Sequence, residues 1–262
     1  MSEKKASGDL PGQGSDPGTG VVSCRLCGGK DFRLLHTWKK YSAWMCTCGL
    51  VRMHPFLWED WWSPEGPPKP KQKSFTRFRH RVFRLVTSPS RRRFILSTRK
   101  VIPRGRLLDI GCGQGAVLEE AAPYYECVGV ESSATAAAVS RQKGFNVVAG
   151  TFEEVELPPN SFDVVTAFSV IEHVYDPVGF LHKVNGLLKP GGVVALQVPK
   201  LNGPTHFLQG KNWHGFRVGY HLHLFTRATL GRALEMAGFQ VLRHPRRDRL
   251  MDDVLILWSR KA

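Results

Sequence analysis

The sequence predicts an α/β fold, in which a mostly parallel sheet of seven strands is wound by helices and preceded by a small cysteine-rich segment. From residue 101 onward, apolar runs alternate with helical patterns. The 262 residues, 42% of them hydrophobic, suffice for one full core and a small appendage. The last two apolar runs are joined by HPRRDRLMDD, which is too short for a crossover helix, so the last strand is predicted to be antiparallel.

Seven strands are predicted from short runs of β-branched and other apolar residues that are bounded by turn signals. They are RLLDI (106–110), CVGVE (127–131), NVVA (146–149), FDVVTAF (162–168), VVALQVP (193–199), FQVLRH (239–244) and VLILWS (254–259).

Three helices between these strands have recognisable ends. Asp176 is predicted to be the N-cap of one helix, and residues 190–192 (Pro-Gly-Gly) are predicted to end it. Thr226 can cap a second helix, which Gly238 ends. A third helix is predicted from about 133 to 144.

The turn after the first strand predicts a cofactor site. In LLDIGCGQG, the glycines at 111, 113 and 115 allow an anionic or polar group to approach the backbone amides of the turn and the next helix. Gly111, Gly113 and Ala116 also satisfy the dinucleotide fingerprint, with Glu131 placed for a ribose hydroxyl. On this pattern alone, two cofactors stay open.

Asp109 helps to separate the two cofactors. A carboxylate at the strand tip would repel the pyrophosphate of a dinucleotide, whereas it could attract a cofactor that carries an ammonium group. S-adenosylmethionine has such a group and a cationic sulfonium, so Asp109 favours it.

Over residues 101–262, the sequence resembles the class I S-adenosylmethionine-dependent methyltransferases, which implies a Rossmann-like seven-stranded sheet. LLDIGCGQG is similar to their first motif, VGVESS to the second, AGTFEEVELPPNSFDVVTAFSVIEHVYDP to the next two, and LLKPGGVVALQVP to the strand that follows. The resemblance implies that the methionine end of the cofactor contacts Asp109, Gly111, Gly113 and Gly115. It also implies that the ribose contacts Glu131, that the adenine contacts Thr151 and Phe152, and that the methyl group lies beside Phe168 and Ser169. Family members often have Asp at the position of Thr151, which leaves a backbone contact to the adenine as the alternative there.

The end of the fourth strand indicates the acceptor class. Methyltransferases that modify amines of nucleic acids commonly carry Asn or Asp, two prolines and an aromatic residue there, whereas residues 168–171 read FSVI, which disfavours base amines. IEHVYDP resembles the O-methyltransferases of quinone biosynthesis and many small-molecule and glycan methyltransferases. Some of these bind a divalent metal through Glu-x-x-Glu-His. Here Ser169 replaces the first Glu and leaves Glu172 and His173, which argues against metal-dependent catalysis.

An oxygen nucleophile needs a general base, and histidine is the side chain best suited to that role at neutral pH. KNWHGFRVGYHLHLFTRATL resembles a segment of bacterial methyltransferases that modify sugars and glycans. His221 is the preferred candidate base, followed by His223 and His173. The alternative is that His221 and His223, which alternate about Leu222, are strand or loop residues, one of them buried and hydrogen-bonded.

The spacing C-x2-C-x18-C-x-C of Cys24, Cys27, Cys46 and Cys48 is close to that of a zinc ribbon and predicts a structural zinc site. The second pair is unusually tight, so His36 or His54 could replace one sulfur, and four unconnected thiols remain the alternative. The segment resembles the zinc-binding N-terminal part of sugar methyltransferases. The sugar C-methyltransferases among them have a further C-terminal domain, whose absence after Ala262 favours O-methylation.

The predicted organisation is a disordered leader at 1–20, a zinc-ribbon-like segment at 21–65, a basic amphipathic helical connector at 66–100 and the methyltransferase domain at 101–262. From 69 to 106 there are 14 Lys and Arg residues, and no acid occurs between Glu65 and Asp109. The connector could hold a phosphate-bearing acceptor, anionic lipid headgroups around a lipid-linked glycan, or RNA, or it could pack on the domain.

No export signal and no run of 18 apolar residues is present in the sequence. This predicts a cytoplasmic protein without a membrane span, and a peripheral position at the membrane surface stays open.

The sequence therefore predicts a methyltransferase that acts on a hydroxyl group of a glycan, sugar or small metabolite, with S-adenosylmethionine as cofactor and a structural zinc ion. One alternative is an RNA methyltransferase that grips nucleic acid with its ribbon and basic helix. The other is a non-catalytic protein that keeps the fold as a scaffold. The acceptor atom and the oligomeric state are not predicted.

Overall fold

The computed structural model describes residues 23–39, 41–54, 91–92, 94–216, 221–242 and 254–262. The predicted leader at 1–20 lies outside the described residues, as does the basic connector from 66 to 90. Residues 94–99 are helical and lead into the central sheet. None of the helices in the described residues is long and apolar enough to cross a membrane.

Besides the helical residues 91–92 and 94–99, the described chain forms eleven strands and five α-helices. The strands are β1 (Phe32–Trp38), β2 (Tyr41–Cys46), β3 (Val51–His54), β4 (Gly105–Ile110), β5 (Tyr125–Glu131), β6 (Asn146–Ala149), β7 (Phe162–Phe168), β8 (Leu188–Pro199), β9 (His223–Leu224), β10 (Phe239–Val241) and β11 (Val254–Lys261). The helices are α1 (Ala116–Ala121), α2 (Ala134–Gln142), α3 (Pro177–Leu187), α4 (Pro204–Gln209) and α5 (Arg227–Met236).

The central sheet has seven strands in the order β10-β11-β8-β7-β4-β5-β6. The pairs β4 with β5, β4 with β7, β5 with β6, and β7 with β8 are parallel. Strand β11 runs antiparallel to both of its neighbours, β8 and β10. The predicted seven-stranded sheet with an antiparallel last strand is therefore confirmed. Because the carboxyl ends of its parallel strands meet at one edge, this edge is where a ligand is expected.

Alternating residues of the central strands face two separate apolar layers. On β4, Leu108 belongs to the layer that contains Leu181 of α3 and Leu230 of α5. Its neighbour Leu107 belongs to the layer that contains Leu118 of α1. The sheet thus lies between two layers of helices, as its continuous apolar strands require.

The structure has the predicted helix ends, except at the C-terminal end of α3. Asp176 accepts hydrogen bonds from the first-turn amides of α3, and the side chain of Thr226 accepts one from the amide of Thr229 in α5. However, α3 ends at Leu187, and residues 190–192 lie within β8 rather than in a loop. Gly191 has a φ of 75°, and the pairing of β7 with β8 changes register between Phe162 and Val164, which allows the strand to start earlier than its apolar run.

A second, four-stranded sheet has the order β1-β2-β3-β9, with antiparallel pairing throughout. Strands β1 to β3 belong to residues 23–54, which we call the cysteine module. Strand β9 belongs to residues 200–225, which connect β8 to α5 and which we call the β8–α5 segment. The module and this segment also share an apolar layer that includes Val51, Met53, Trp213 and Phe216. The module is therefore built into the larger domain through a shared sheet.

Candidate functional site

A cavity of about 330 Å³ opens at the carboxyl edge of the central sheet, and a cavity of this size can bind a small molecule. It lies beside the ends of β4, β5 and β7 and is covered by α3. Its lining residues are Ile110, Gly111, Val130, Glu131, Ser132, Gly150, Thr151, Phe152, Glu153, Ser169, Val170, His173, Val174 and Phe180. Five of the nine residues predicted to bind cofactor are among them, namely Gly111, Glu131, Thr151, Phe152 and Ser169.

Gly111 opens the turn after β4, and the local structure requires glycine there. Its φ is 69°, and a β-carbon at this position would lie 2.6 Å from Cγ2 of Val170. Its amide donates a hydrogen bond of 2.8 Å to the carbonyl oxygen of Val130, which fixes the turn against β5. The backbone of the turn thereby forms part of the cavity wall.

Glu131, at the end of β5, connects two backbone turns. One carboxylate oxygen accepts a hydrogen bond of 2.7 Å from the amide of Gly113, and the other accepts one of 2.8 Å from the amide of Ser133. These bonds hold the carboxylate at the cavity between the glycine turn and the start of α2. A ribose diol could be bound by a carboxylate in this position.

Asp109 does not line the cavity. It is 2% exposed, and the hydroxyl group of Thr166 donates a hydrogen bond of 2.6 Å to its Oδ1. Burial raises the pKa of Asp109 to about 7, with a smaller contribution in the same direction from Glu131. Its predicted contact with the methionine end of the cofactor stays a prediction.

Three other predicted cofactor residues also lie outside the cavity lining. Gly113 and Gly115 shape the turn through φ angles of 55° and 86°. Phe168 packs edge-to-face on Phe94, with their ring centroids 4.5 Å apart. Phe168 thus packs residues 94–99 against the sheet, and the predicted cofactor contacts of these three residues stay predictions.

The predicted adenine side of the cavity contains Thr151 and Phe152. The hydroxyl group of Thr151 donates a hydrogen bond of 2.7 Å to Glu154, so the side chain is already engaged there. Phe152 packs on Phe180 of α3, with ring centroids 5.0 Å apart. Sequence reasoning missed Phe180 because its helical spacing indicated only a core position.

Ser169 lies at the end of β7 with a φ of 54°, in the left-handed region that a residue other than glycine rarely adopts. Its amide donates a hydrogen bond of 2.8 Å to the carbonyl oxygen of Gln197 in β8. Such conformations concentrate at functional sites, because the surrounding structure must hold them in place. Ser169 and the turn that follows it lead directly to His173.

Glu172, His173 and His221 form a compact cluster, and His173 is its member that lines the cavity. Nε2 of His173 lies 4.0 Å from Oε1 of Glu172, and the side chains are 26% and 1% exposed, respectively. The rings of His173 and His221 lie 4.9 Å apart at an angle of 67°. Sequence reasoning did not include Glu172 among the site residues, although its place next to His173 was the available signal.

The other two candidate bases are deeply buried. His221 is 5% exposed, and its Nδ1 lies 2.7 Å from the carbonyl oxygen of Gly215, so this nitrogen must carry the proton. His223 is fully buried, and its Nε2 donates to the carbonyl oxygen of Tyr175 at 3.3 Å. Burial, with Arg52 nearby, lowers the pKa of His223 to about 3 and keeps it neutral. The geometry therefore favours His173, the third-ranked candidate from the sequence.

Burial also controls the protonation of Glu172. It raises the pKa of this carboxyl group to about 8, although hydrogen bonds, including one from Ser169, act in the opposite direction. Near neutral pH, the carboxyl group therefore holds a proton. A proton taken up by His173 would favour ionisation of Glu172, because opposite charges 4.0 Å apart attract each other strongly in a buried site.

The cysteine module contains a second cluster, in which the sulfur atoms of Cys24, Cys27, Cys46 and Cys48 all lie within 4.8 Å of one another. Cys24 Sγ is 3.6 Å from Cys48 Sγ, and Cys27 Sγ is 3.5 Å from Cys46 Sγ. Four thiolates around zinc, with bonds of about 2.3 Å, would be about 3.8 Å apart, so the four sulfurs fit a tetrahedral ion. His36 does not replace a sulfur and instead contacts the ring of Phe216.

The module is connected to the histidine cluster through the backbone of β9. Arg52 of β3 pairs with His223, and the amide of Met53 donates a hydrogen bond of 3.1 Å to the carbonyl oxygen of Leu222. On the other side, the carbonyl oxygen of Glu172 accepts hydrogen bonds from the amides of Leu222 and His223, at 2.8 and 3.1 Å. The segment that carries His221 is thus held between the module and the turn that carries His173.

Comparison with known proteins identifies the domain. Residues 76–244, more than half of the chain, match the methyltransferase domain family. The chain belongs to this family. The prediction of a class I S-adenosylmethionine-dependent methyltransferase domain is confirmed, and the matched residues contain the whole cavity.

Two curated relatives of this methyltransferase domain are both named ubiquinone biosynthesis O-methyltransferase. The one from Bradyrhizobium sp. (strain ORS 278) is 33% identical over 176 residues, which cover 62% of this chain and 62% of the relative. The one from Parvibaculum lavamentivorans is 34% identical over 144 residues, which cover 52% of this chain and 55% of the relative. The chain thus spans less than two thirds of the length of these relatives.

Solved structures support the fold. A methyltransferase from Thermotoga maritima, described as a possible histamine N-methyltransferase, has a TM-score of 0.56 at 24% identity, covering 71% of this chain and 95% of that one. An S-adenosylmethionine-dependent methyltransferase from Clostridium acetobutylicum has a TM-score of 0.57 at 13% identity, covering 72% and 99%. At these identities, the similarity concerns the fold alone.

The raised pKa of Glu172 predicts a pH dependence of stability. Because the folded protein retains this proton up to about pH 8 while the unfolded chain loses it near pH 4.5, stability should fall as the pH rises through this window. Glu172→Gln, which is neutral at every pH, should lose less thermal stability between pH 6 and pH 8 than the native protein, as measured by melting temperature. An equal loss in Glu172→Gln and the native protein would contradict the assignment.

Proposed function

We propose that this protein transfers a methyl group from S-adenosylmethionine to a hydroxyl group of a glycan, a sugar or a small metabolite in the cytoplasm. The observation that carries the proposal is the position of His173. Its ring lines the same cavity as the glycine turn and Glu131, with the Glu172 carboxyl group directly behind it. A cofactor site and a candidate general base therefore share one cavity in a methyltransferase-family domain.

The cavity residues fit S-adenosylmethionine in their chemistry. The Glu131 carboxylate suits the ribose diol, the backbone around Gly111 suits the methionine end, and Phe152 offers an aromatic face for the adenine. The sulfonium of this cofactor supplies an activated methyl group. The remaining work of the protein is to align the acceptor, exclude water and accept a proton.

His173 is the residue that we propose as the base. Its neutral ring can accept the proton of an acceptor hydroxyl group. Glu172 can then release its own proton to solvent past the partly exposed His173, and its carboxylate stabilises the imidazolium. When the imidazolium returns its proton to Glu172, the net result is one proton released to solvent for each methyl group transferred. His221 borders His173 and holds the β8–α5 segment in place through the Gly215 carbonyl oxygen, so we assign it a positioning role. His223, with a pKa lowered to about 3, is a poor base at neutral pH, and we assign it a structural role.

The relatives support an oxygen acceptor. Both curated relatives are named as O-methyltransferases, and methylation of a hydroxyl group requires that its proton be removed, which a histidine can do. We infer the acceptor class from the names of these relatives together with the position of His173 at the cavity.

The cluster of Glu172, His173 and His221 supports a second possibility for the same reaction. Each residue offers one ligand atom, and these atoms lie within 4.8 Å of one another. A divalent cation bound there would lower the pKa of an acceptor hydroxyl group directly. Addition of magnesium to protein that retains its zinc separates the two cases, because only the cation-dependent reaction is accelerated by magnesium, whereas a chelator would also remove zinc from the four cysteines.

We further propose that the four cysteines bind a structural zinc ion. The support is the fit of the four sulfurs to a tetrahedral site and the burial of Cys24 and Cys46, each 2% exposed, in the core shared with the domain. The module then acts as a part of the methyltransferase domain, where it supports the β8–α5 segment.

The role of His173 can be tested by substitution. His173→Ala is expected to slow methyl transfer by about a hundredfold or more while S-adenosylmethionine binding, measured by calorimetry, is retained. His182→Ala is the matched control, because His182 is an exposed histidine on α3 outside the cavity, and it should keep full activity. A large loss of activity in His221→Ala alongside an active, folded His173→Ala would assign the base to His221 instead.

The acceptor class can be tested with labelled S-adenosylmethionine in a cell extract that is afterwards separated into small molecules, glycans, lipids, protein and RNA. We expect the label in the glycan or small-molecule fraction, in a form stable to conditions that hydrolyse esters. Label in RNA would support the nucleic-acid alternative. Failure of the native protein to bind S-adenosylmethionine at all would support the scaffold alternative.

The zinc proposal predicts one zinc ion per chain by elemental analysis of the purified protein. Cys24→Ser should reduce the zinc content to background and lower the melting temperature, because removing one thiolate leaves the tetrahedral site incomplete. Cys127→Ser, which alters a cysteine outside the cluster, is the control and should retain the metal. Zinc-free native protein with the same melting temperature as the zinc-bound form would contradict a structural role.

A further inference from the structure

Helix α4 carries two neighbouring apolar side chains that project into solvent. Phe207 is 71% exposed and Leu208 is 85% exposed. The other exposed large apolar residues of the described chain are between 37% and 48% exposed, and no two of them are neighbours in sequence; they are Leu34, Leu96, Met236 and Val254. The exposure at α4 therefore differs from the scattered apolar exposure found on ordinary protein surfaces.

None of the six residues of α4 is buried, and contacts of Thr205 and His206 orient the helix on the protein. The ring of His206 contacts the rings of Trp213 and Phe216, with centroids 5.0 and 5.5 Å away. Nε1 of Trp213 donates a hydrogen bond of 3.0 Å to the hydroxyl group of Thr205. These contacts turn one side of the helix toward the protein and leave Phe207 and Leu208 on the other.

The sequence around α4 carries only positive charge. No Asp or Glu occurs between Asp176 and Glu235, whereas seven Lys and Arg residues do, at 183, 189, 200, 211, 217, 227 and 232. Lys211 is exposed and follows α4 directly. Its carbonyl oxygen accepts a hydrogen bond of 3.2 Å from Nε1 of Trp38, so the module, with the exposed Lys39, borders the same surface.

We propose that α4 docks this protein on an anionic lipid bilayer. Two exposed apolar side chains close to the exposed Lys211 and Lys39 suit the boundary between headgroups and acyl chains, where apolar groups are buried and lysines meet anionic lipid. A stable protein interface needs about 800 Å² from each partner, far more than two side chains supply. The formal net charge of +15 on the chain adds long-range attraction to an anionic surface.

Docking at α4 also brings the candidate site to the bilayer. Helix α4 belongs to the β8–α5 segment, and in the same segment the Gly215 carbonyl oxygen holds His221 beside the cavity. The outer side of this segment thus contacts lipid while its inner side contacts the histidine cluster. The docking surface goes beyond the proposed function, because binding to lipid requires neither the cofactor nor the acceptor.

Vesicle co-sedimentation tests the proposal with the full-length chain and no cofactor or acceptor. Vesicles of phosphatidylcholine alone are compared with vesicles that contain about one third phosphatidylglycerol. The native protein should bind the anionic vesicles, and added salt should weaken this binding. The double variant Phe207→Ser, Leu208→Ser should reduce the partition coefficient by about tenfold or more, because it removes the apolar contribution.

Met236→Ser is the matched control, because it alters an apolar residue that is 46% exposed on α5, away from α4. It should bind anionic vesicles like the native protein, and all variants should keep the native melting temperature. The proposal is overturned if the native protein does not bind anionic vesicles. It is also overturned if the double variant binds as well as the native protein, since charge alone would then account for the binding. Methyl transfer to a water-soluble acceptor, measured separately without vesicles, shows whether the proposed reaction fails independently.

Discussion

The carbonyl oxygen of Glu172 is the point on which the candidate site depends. It accepts hydrogen bonds from the amides of both Leu222 and His223, and so joins the turn after β7 to β9. Strand β9 is also an edge strand of the four-stranded sheet to which the cysteine module contributes β1 to β3. The carbonyl group of Glu172 therefore fixes the histidine cluster relative to the cavity and, through β9, connects the cysteine module to the turn after β7. The side chain of the same residue lies beside His173, so backbone and side chain of Glu172 serve one site.

The cost of this arrangement is the burial of several ionisable groups. Asp109, Glu172 and His223 are all inside the protein, and burial displaces the pKa of each toward its neutral form. A core of this kind is less stable than an apolar one would be, since each group must be kept neutral or hydrogen-bonded. Proteins tolerate such groups mainly where function needs them, and all three lie close to the carboxyl edge of the sheet.

The fold could be predicted from the sequence because its signals are local and mutually consistent. The alternation of apolar runs and helices located all seven strands, and the short HPRRDRLMDD connection gave the direction of the last one. The site was harder to predict, since its residues are brought together by tertiary structure. Nothing near His221 in the sequence indicates that it lies beside His173, 48 positions away, or that the Gly215 carbonyl oxygen engages its Nδ1. Similarly, the early start of β8 depends on pairing with β7, which the Pro-Gly-Gly signal alone did not reveal.

The pairing of β3 with β9 has a consequence for how the protein is made. Residues 51–53 find their sheet partners at 222–224, so the four cysteines leave the ribosome long before the strand that completes their sheet has been synthesised. Contacts of such long range form late in folding, because the intervening chain must first be brought together. During synthesis, the thiols therefore depend on a reducing environment or on early metal capture for their protection. The order of biosynthesis thus leaves the four thiols accessible to oxidation until the strand that completes their sheet has been made.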